Sequence, residues 1–134
     1  MKIVLDTNVL ISALIKDGKP RRLLFRLIKS KHQLIVSEQI LEELALIASE
    51  PKIQRYAGLG DVAAFLRDIA TSSKMVEIRS KFEVIKEDPD DDIVLRTAHD
   101  ARASYIVSGD RHLLKLGRFR GIRIIAADEM LRLL

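Results

Sequence analysis

The sequence predicts an α/β protein in which helices cover both faces of a parallel β-sheet. Short runs of apolar residues, most of them apolar at every position, recur along the 134-residue chain, as expected of strands that are buried on both faces. Longer segments with the apolar spacing of helices separate these runs, and this alternation is typical of a parallel sheet. The length fits a single domain spanning residues 1–134.

The individual elements follow from these patterns in chain order. Strands are predicted at residues 3–5, 34–36, 75–78, 105–107 and 122–125. Helices are predicted at residues 9–16, 21–31, 38–49, 61–72, 91–103, 110–116 and 127–133. Polar interruptions make the third strand the weakest of these patterns. Two helical segments precede the second strand, and two more precede the third.

Several helix boundaries have a local cause. Pro20 suits the first turn of the second helix, and Ser37 is a good N-cap for the third. The third helix is expected to end at Glu50, because a residue before proline avoids helical angles. Residues 52–60 are predicted to form a loop, after which Asp61 is placed to cap the fourth helix.

Composition excludes several classes of protein. No apolar segment approaches the roughly 18 residues that a membrane-spanning helix needs, and Asp6 interrupts the apolar start too early for a signal peptide. Cysteine is absent, which excludes disulfides, thiolate metal sites and a cysteine nucleophile. We therefore expect a cytoplasmic protein with no membrane contact.

Charge is distributed unevenly along the chain, whose formal net charge is +4. Residues 16–32 hold seven Lys and Arg, residues 111–123 hold five, and residues 83–92 hold six Asp and Glu. Basic segments on either side of an acidic one are typical of a protein that holds a polyanion near a cation site. The same pattern also arises where charged side chains simply face water.

Two carboxylates lie just after predicted strands. Asp6 follows the first strand, and Asp110 comes shortly after the fourth. Ligands of an open parallel sheet bind at the carboxyl ends of its strands, so both acids are candidate functional groups. Either could instead serve as the N-cap of the helix that follows it.

Helical phase selects two more acids. In the third predicted helix, Glu43 borders the apolar stripe whereas Glu42 lies nearly opposite it. In the fifth, Asp91 lies in line with the stripe whereas Asp92 is rotated away. Burying an ionised carboxylate without a partner is unfavourable, and none of the core stripes offers an inward Lys or Arg. A cluster of hard oxygen ligands without cysteine therefore favours Mg²⁺ or Mn²⁺.

A calcium loop is another explanation for part of this acidic run. Asp88, Asp90 and Asp92 have the spacing of the first three ligands of such a loop. Ile93 stands where the loop needs glycine and His99 stands where it needs glutamate, so we reject this explanation.

Four segments, in order, resemble the acidic segments of PIN-domain ribonucleases. They read IVLDTNVLIS from residue 3, SEQILEEL from residue 37, DPDDDIVLRTA from residue 88 and YIVSGDRHLL from residue 105. The resemblance spans residues 3–128 and is nearest to the VapC-like toxins of toxin–antitoxin pairs. It implies a three-layer α/β/α sandwich with a central parallel sheet of about five strands in the order 3-2-1-4-5.

The resemblance also implies roles for individual residues. The metal-binding and catalytic acids would be Asp6, Glu43, Asp91 and Asp110. The residues that orient these carboxylates or bond phosphate would be Thr7, Asn8 and Ser108. Two assignments stay open, since Asp92 could share the role of Asp91 and Asp90 could cap its helix.

The implied activity is that of an endoribonuclease, which hydrolyses RNA phosphodiester bonds with one or two Mg²⁺ or Mn²⁺ ions and leaves 5′-phosphate and 3′-hydroxyl groups. As partners we expect single-stranded or structured RNA, an antitoxin protein, and further copies of the chain in a homodimer or higher homo-oligomer. The basic residues expected to follow the RNA backbone are Arg21, Arg22, Arg26, Arg111, Lys115 and Arg118.

Three other functions fit the same residues. The chain could be a non-catalytic RNA-binding domain on the same fold. It could be a metal-dependent phosphatase or a structure-specific DNA nuclease that shares the acid cluster. It could also be an interaction protein, since Leu46 and Leu59 are expected to be exposed.

Overall fold

The computed structural model describes all of residues 1–134 and contains one six-stranded sheet. Its strands are β1 (Lys2–Leu5), β2 (Gln33–Ser37), β3 (Lys74–Val76), β4 (Tyr105–Val107), β5 (Arg118–Phe119) and β6 (Ile122–Ile125). They lie in the order β3-β2-β1-β4-β6-β5. The first five of these are parallel to their neighbours, which confirms the predicted order 3-2-1-4-5 with β6 as the fifth parallel strand.

The edge strand β5 is an addition that the sequence did not predict. It pairs antiparallel with β6 across a two-residue turn at Arg120 and Gly121. Both turn residues have positive φ, 49° and 85°, which is the backbone of a type I′ hairpin turn. The hairpin covers the edge that β6 would otherwise expose.

Eight helices surround the sheet. They are α1 (Thr7–Ile15), α2 (Lys19–Lys29), α3 (Glu38–Ala48), α4 (Pro51–Gln54), α5 (Leu59–Ser72), α6 (Pro89–Ala101), α7 (Arg111–Leu116) and α8 (Ala127–Leu133). The connections from β1 to β3 run toward one edge and those from β3 to β6 run back, so right-handed crossovers place α6 and α7 on the face opposite the earlier helices. None of the eight helices combines the length and the hydropathy needed to cross a bilayer.

The segment between α3 and α5 differs from the prediction in two details. The predicted loop over residues 52–60 is partly helical, because α4 begins at Pro51. The N-cap of α5 is Gly58, so Asp61 does not cap the helix as predicted. The Oδ2 atom of Asp61 instead accepts a hydrogen bond of 3.3 Å from the Gly58 N–H, as an acid at the third helical position does in a capping box.

The central strands fix the edge where the polar residues gather. Residues 3–5 and 34–36 are buried throughout, as strands covered on both faces must be. They belong to one cluster of 34 buried apolar residues. The residues that directly follow β1 and β4 are therefore attached to strands that pack in the buried core.

Residues 77–88, here called the strap, contain no helix or strand and are bound to α6. Asp92 holds the end of the strap that leads into α6. Its Oδ1 atom accepts hydrogen bonds from the N–H groups of Val84 and Ile85, at 2.9 and 3.0 Å. These bonds bury the Asp92 carboxylate beneath the strap, although its phase turns it away from the apolar stripe.

Two further side chains of α6 hold the rest of the strap. The Arg96 guanidinium donates two hydrogen bonds, of 2.8 and 2.6 Å, to the Phe82 carbonyl. The Asp100 Oδ2 atom accepts hydrogen bonds from the N–H groups of Arg79 and Ser80, at 2.7 and 3.0 Å. Side chains four residues apart share one face of a helix, so Asp92, Arg96 and Asp100 form a single stripe along α6.

We expect Arg96→Met to lower the free energy of unfolding by about 1.5–3 kcal/mol, since it removes charge-assisted hydrogen bonds to a carbonyl while keeping an unbranched side chain. Urea unfolding followed by circular dichroism measures the change. Arg67→Met on α5 is the matched control, because Arg67 is exposed and its side chain makes no hydrogen bond. Equal stability losses in the two variants would mean that Arg96 does not hold the strap.

Candidate metal centre

The site begins where β1 and β4 end side by side. The Asp6 N–H donates a hydrogen bond of 2.9 Å to the Val107 carbonyl, so the pairing of the two strands extends to Asp6. Asp6 is buried, with an exposed fraction of 5%. It occupies the N-cap position of α1, but its side chain makes no capping hydrogen bond. The carboxylate is therefore free for another role.

Ser108 links the acids that follow these two strands. Its hydroxyl donates a hydrogen bond of 2.7 Å to Asp6 Oδ2 and accepts one of 2.9 Å from the Asp110 N–H. The Asp110 Oδ1 atom accepts hydrogen bonds from the N–H groups of His112 and Leu113, at 2.8 and 3.2 Å, and so caps α7. Asp110 is thus an N-cap, as one of the two interpretations of the sequence expected, and no backbone N–H donates to its Oδ2 atom.

Three carboxyl groups form the centre of the site. One oxygen from each of Asp88, Asp91 and Asp110 lies within 4.8 Å of the others. Asp91 is buried with an exposed fraction of 5%, and its Oδ2 atom is the one buried side-chain polar atom without a hydrogen-bond partner. Buried polar groups are nearly always satisfied, so this oxygen needs either a proton that Asp91 shares with the neighbouring Asp110 carboxylate or a cation from outside the chain.

Glu43 lies beside this centre on α3. The Thr7 hydroxyl donates a hydrogen bond of 3.2 Å to Glu43 Oε2 and thereby joins α3 to the first turn of α1. Glu43 is partly buried and Glu42 is exposed, as helical phase predicts. Glu43 is not part of the closest group of three acids.

The carboxylates repel one another, and no basic side chain offsets the repulsion. Burial, together with the nearby charges of Asp110 and Asp88, raises the pKa of Asp91 to about 8. Burial also raises the pKa of Asp6, although the hydrogen bond from Ser108 lowers it in part. Burial raises the pKa of Glu43 as well. None of the four ion pairs in the protein includes any of these acids. A divalent cation is the ligand that such a donor set favours.

Asp88 is the member of the centre that the sequence did not reveal. The sequence pattern suggests it only as part of a calcium loop, yet it is the N-cap of α6, and its Oδ1 atom accepts a hydrogen bond of 3.0 Å from the Asp90 N–H. The proline that follows Asp88 was the available signal, because proline is common at the first position of a helix. The same contact shows that Asp90 is not the cap, while Asp92 binds the strap instead.

A cleft of about 550 Å³ opens next to the acids. Its lining includes Asn8, Ser12, Ser108, Asp110 and Arg111. Of the residues expected to orient ligands, Ser108 and Thr7 contact carboxylates, whereas Asn8 is exposed to the cleft. The cleft has no aromatic residue in its lining, so it offers polar contacts rather than stacking surfaces.

The basic residues expected at the site fall into two groups. The Arg21 guanidinium donates hydrogen bonds to the carbonyls of Ala13 and Leu14 at the end of α1. The Arg26 guanidinium donates to carbonyls near the end of α8. Four of the basic side chains are exposed and make no hydrogen bond to a backbone carbonyl, namely those of Arg22, Arg111, Lys115 and Arg118. Contact of any of the six with RNA stays a prediction.

The chain is similar to known proteins in both sequence and fold. A family model described as PIN domain matches residues 2–112. An uncharacterized protein of Methanocaldococcus jannaschii, MJ1680, is 31% identical over 118 residues, which cover 87% of this chain and 75% of that protein. The fold is similar to a chain in the crystal structure of VapBC2 from Rickettsia felis bound to a DNA fragment from their promoter. That match has a TM-score of 0.63 at 15% identity and covers 92% of this chain and 97% of the other.

We expect the metal-free protein to lose stability as the pH rises from about 4 toward about 8. The pKa of Asp91 is raised from 3.8, its usual value, to about 8 in the folded protein. Between these values the folded state holds a proton that the unfolded state has released, so the free energy of unfolding falls as the pH rises. The measurement is Tm in EDTA across this range, and the contribution of Asp91 to the slope should be absent in Asp91→Asn.

Asp68→Asn provides the control, because it removes an exposed carboxylate on α5 and should keep the wild-type slope. If the profile of Asp91→Asn also ran parallel to that of the wild type, Asp91 would have an ordinary pKa, which contradicts this description of the site.

Proposed function

Because the chain belongs to the PIN-domain family, we propose that it is a metal-dependent endoribonuclease and the toxin of a toxin–antitoxin pair. The observation that carries the proposal is the buried Asp91 Oδ2 atom, which lacks a hydrogen-bond partner in the middle of a carboxylate cluster. A cation would supply the missing contact and would also relieve the mutual repulsion of the acids.

The donor set supports Mg²⁺ or Mn²⁺ as the cation. The group that could hold it consists of Asp88, Asp91 and Asp110, with Asp6 next to them, and contains neither histidine nor cysteine. Hard oxygen donors of this kind suit these two ions. When bound, such an ion would lower the pKa of a water molecule and stabilise negative charge on a phosphodiester.

The surrounding side chains hold the acids in place. Ser108 fixes one oxygen of Asp6, Thr7 fixes one oxygen of Glu43, and helix N–H groups fix one oxygen of Asp110. Glu43 and Asp110 each keep a second oxygen that accepts no such hydrogen bond. Carboxylates fixed in advance need little rearrangement when substrate binds, and this preorganisation is a large part of catalysis at charged sites.

The cleft supports recognition of a nucleic-acid backbone. Arg111 and Asn8 line it beside the acids, and the absence of aromatic lining leaves the phosphates as the principal point of contact. We propose RNA rather than DNA as the substrate because the chain resembles PIN-domain ribonucleases. The number of ions, one or two, is part of the same proposal and follows from the same resemblance.

Exposed apolar side chains offer a contact surface to an antitoxin or a second copy of the chain. The large exposed apolar side chains include Phe25 at 53%, Leu46 at 74%, Tyr56 at 69% and Leu59 at 69% exposure, among which Leu46 and Leu59 were expected. Apolar surface of this kind suits a protein partner. Together with the similarity in fold to a chain of the VapBC2 structure, it supports an antitoxin partner and a homo-oligomer, while a cytoplasmic location stays a prediction from the sequence.

We expect Asp91→Asn and Asp6→Asn each to lower RNA cleavage by about 100-fold or more, since each removes a carboxylate from the centre of the site. Glu42→Gln, which removes an exposed charge on the same helix as Glu43, should keep wild-type activity. The measurement is cleavage of end-labelled single-stranded RNA by purified protein, in Mg²⁺, in Mn²⁺ and in EDTA. Cleavage that is equal in the wild type and Asp6→Asn would come from a contaminant.

The same preparation distinguishes the other functions. RNA binding without cleavage in either metal would indicate a non-catalytic RNA-binding domain. Cleavage of a DNA flap or a nicked duplex in preference to RNA would indicate a structure-specific DNA nuclease. Hydrolysis of a phosphate monoester alone would indicate a phosphatase, and loss of all three activities with retained partner binding would indicate an interaction protein.

A further inference from the structure

Asp88 and the strap give the site a component beyond the four acids that the family resemblance implies. We propose that Asp88 is a further ligand of the divalent cation and that Asp92 is the positioning residue that keeps it in place by holding the strap. The proposal rests on the proposed function, because it concerns the same cation.

The geometry of Asp88 suits a ligand. Its carboxylate lies within 4.8 Å of those of Asp91 and Asp110, which makes it closer to the buried centre than Glu43 is. Its Oδ1 atom caps α6 through the Asp90 N–H, while its Oδ2 atom accepts no hydrogen bond from the protein. The unpartnered Asp91 Oδ2 atom is an independent sign that a ligand belongs between these acids.

The position of Asp88 depends on the strap that leads to it. Only two residues separate Asp88 from Ile85, which is buried and which hydrogen-bonds to Asp92 Oδ1 through its N–H. Val84 makes a second bond to the same oxygen. Asp92 lies one turn after Asp88 on α6, so its carboxylate ties the incoming chain to the helix that Asp88 caps. Loss of these two hydrogen bonds would free the strap at the point where it enters the site.

Two consecutive acids of α6 therefore have different tasks. Asp91 faces the cluster and is left without a partner, whereas Asp92 faces the strap and has two. Arg96 and Asp100 hold the remote half of the strap and contact none of the acids of the site. Within the stripe on α6, Asp92 thus supports the metal site, whereas Arg96 and Asp100 support the fold.

The test of the ligand is the affinity for Mn²⁺, measured by isothermal titration calorimetry on the full chain. Asp88→Asn keeps an oxygen that can cap α6, because asparagine is as good an N-cap as aspartate, but it removes the charge. We expect this variant to bind Mn²⁺ about tenfold or more weakly than the wild type. Glu87→Gln removes an exposed carboxylate at the neighbouring position and should bind as the wild type does.

Asp6→Asn separates failure of this inference from failure of the proposed function. Weak binding by Asp6→Asn together with wild-type affinity in Asp88→Asn would leave the metal site intact and overturn the role of Asp88. Absence of Mn²⁺ binding in the wild type would overturn both the proposed function and this inference.

The test of the positioning residue compares two substitutions at one place. Asp92→Ala removes the acceptor for both N–H groups and should weaken Mn²⁺ binding about tenfold, whereas Asp92→Asn keeps an acceptor oxygen and should restore most of the affinity. Asp100→Ala loosens the remote half of the strap and should leave the affinity unchanged.

Ile85→Ala provides a second route if Asp92→Ala does not fold. It weakens the packing of the strap without altering any carboxylate, and it should also lower the Mn²⁺ affinity. Wild-type affinity in a folded Asp92→Ala or Ile85→Ala protein would show that the strap does not position Asp88.

Discussion

The repulsion between carboxylates that the fold brings together is the constraint on which the site depends. Asp91 is buried against Asp88 and Asp110, with Asp6 close by, and no arginine or lysine pairs with any of them. Such an arrangement lowers the stability of the folded state unless protons or a cation balance the charge. Asp6 directly follows a buried central strand and Asp91 is buried in α6, so the repulsion arises where the surrounding residues are closely packed. Binding of a divalent cation would relieve the repulsion between the carboxylates, and this relief would contribute to the affinity for the cation.

Helix N-termini make this arrangement tolerable. Asp6, Asp88 and Asp110 occupy the N-cap positions of α1, α6 and α7, whose N-terminal ends favour negative charge. In Asp88 and Asp110, the Oδ1 atom accepts a hydrogen bond from a backbone N–H of the helix, and the Oδ2 atom accepts none from the helix. The interpretations of Asp110 as a cap and as a ligand are thus compatible, because a carboxylate has one oxygen for each role.

The sequence predicted the fold and the burial of several acidic side chains for physical reasons. Apolar runs and helical spacing report burial directly, so the parallel strands could be predicted from them, whereas the strand order came from the resemblance to PIN-domain ribonucleases. Helical phase separated Asp91 from Asp92 and Glu43 from Glu42, since rotation about a helix axis decides which side chain faces the core. The features that escaped are those that depend on distant chain segments. Asp92 is buried only because the strap covers it.

Two other features of the structure could not be predicted for similar reasons. The hairpin that forms β5 needs positive φ at Arg120, which few arginines adopt, so its residue type gave no turn signal. Arg21 carries charge of the sign expected for RNA contact, yet its guanidinium is bound to carbonyls at the end of α1, a contact that net charge does not reveal.

The most direct test of the account is a crystal structure of the protein with Mn²⁺, with data collected at the manganese absorption edge. The account predicts an anomalous difference peak within coordination distance of the carboxylate oxygens of Asp91 and Asp110. A structure in which these carboxylates lie apart, or in which a basic side chain occupies the space between them and no peak is found, would contradict it.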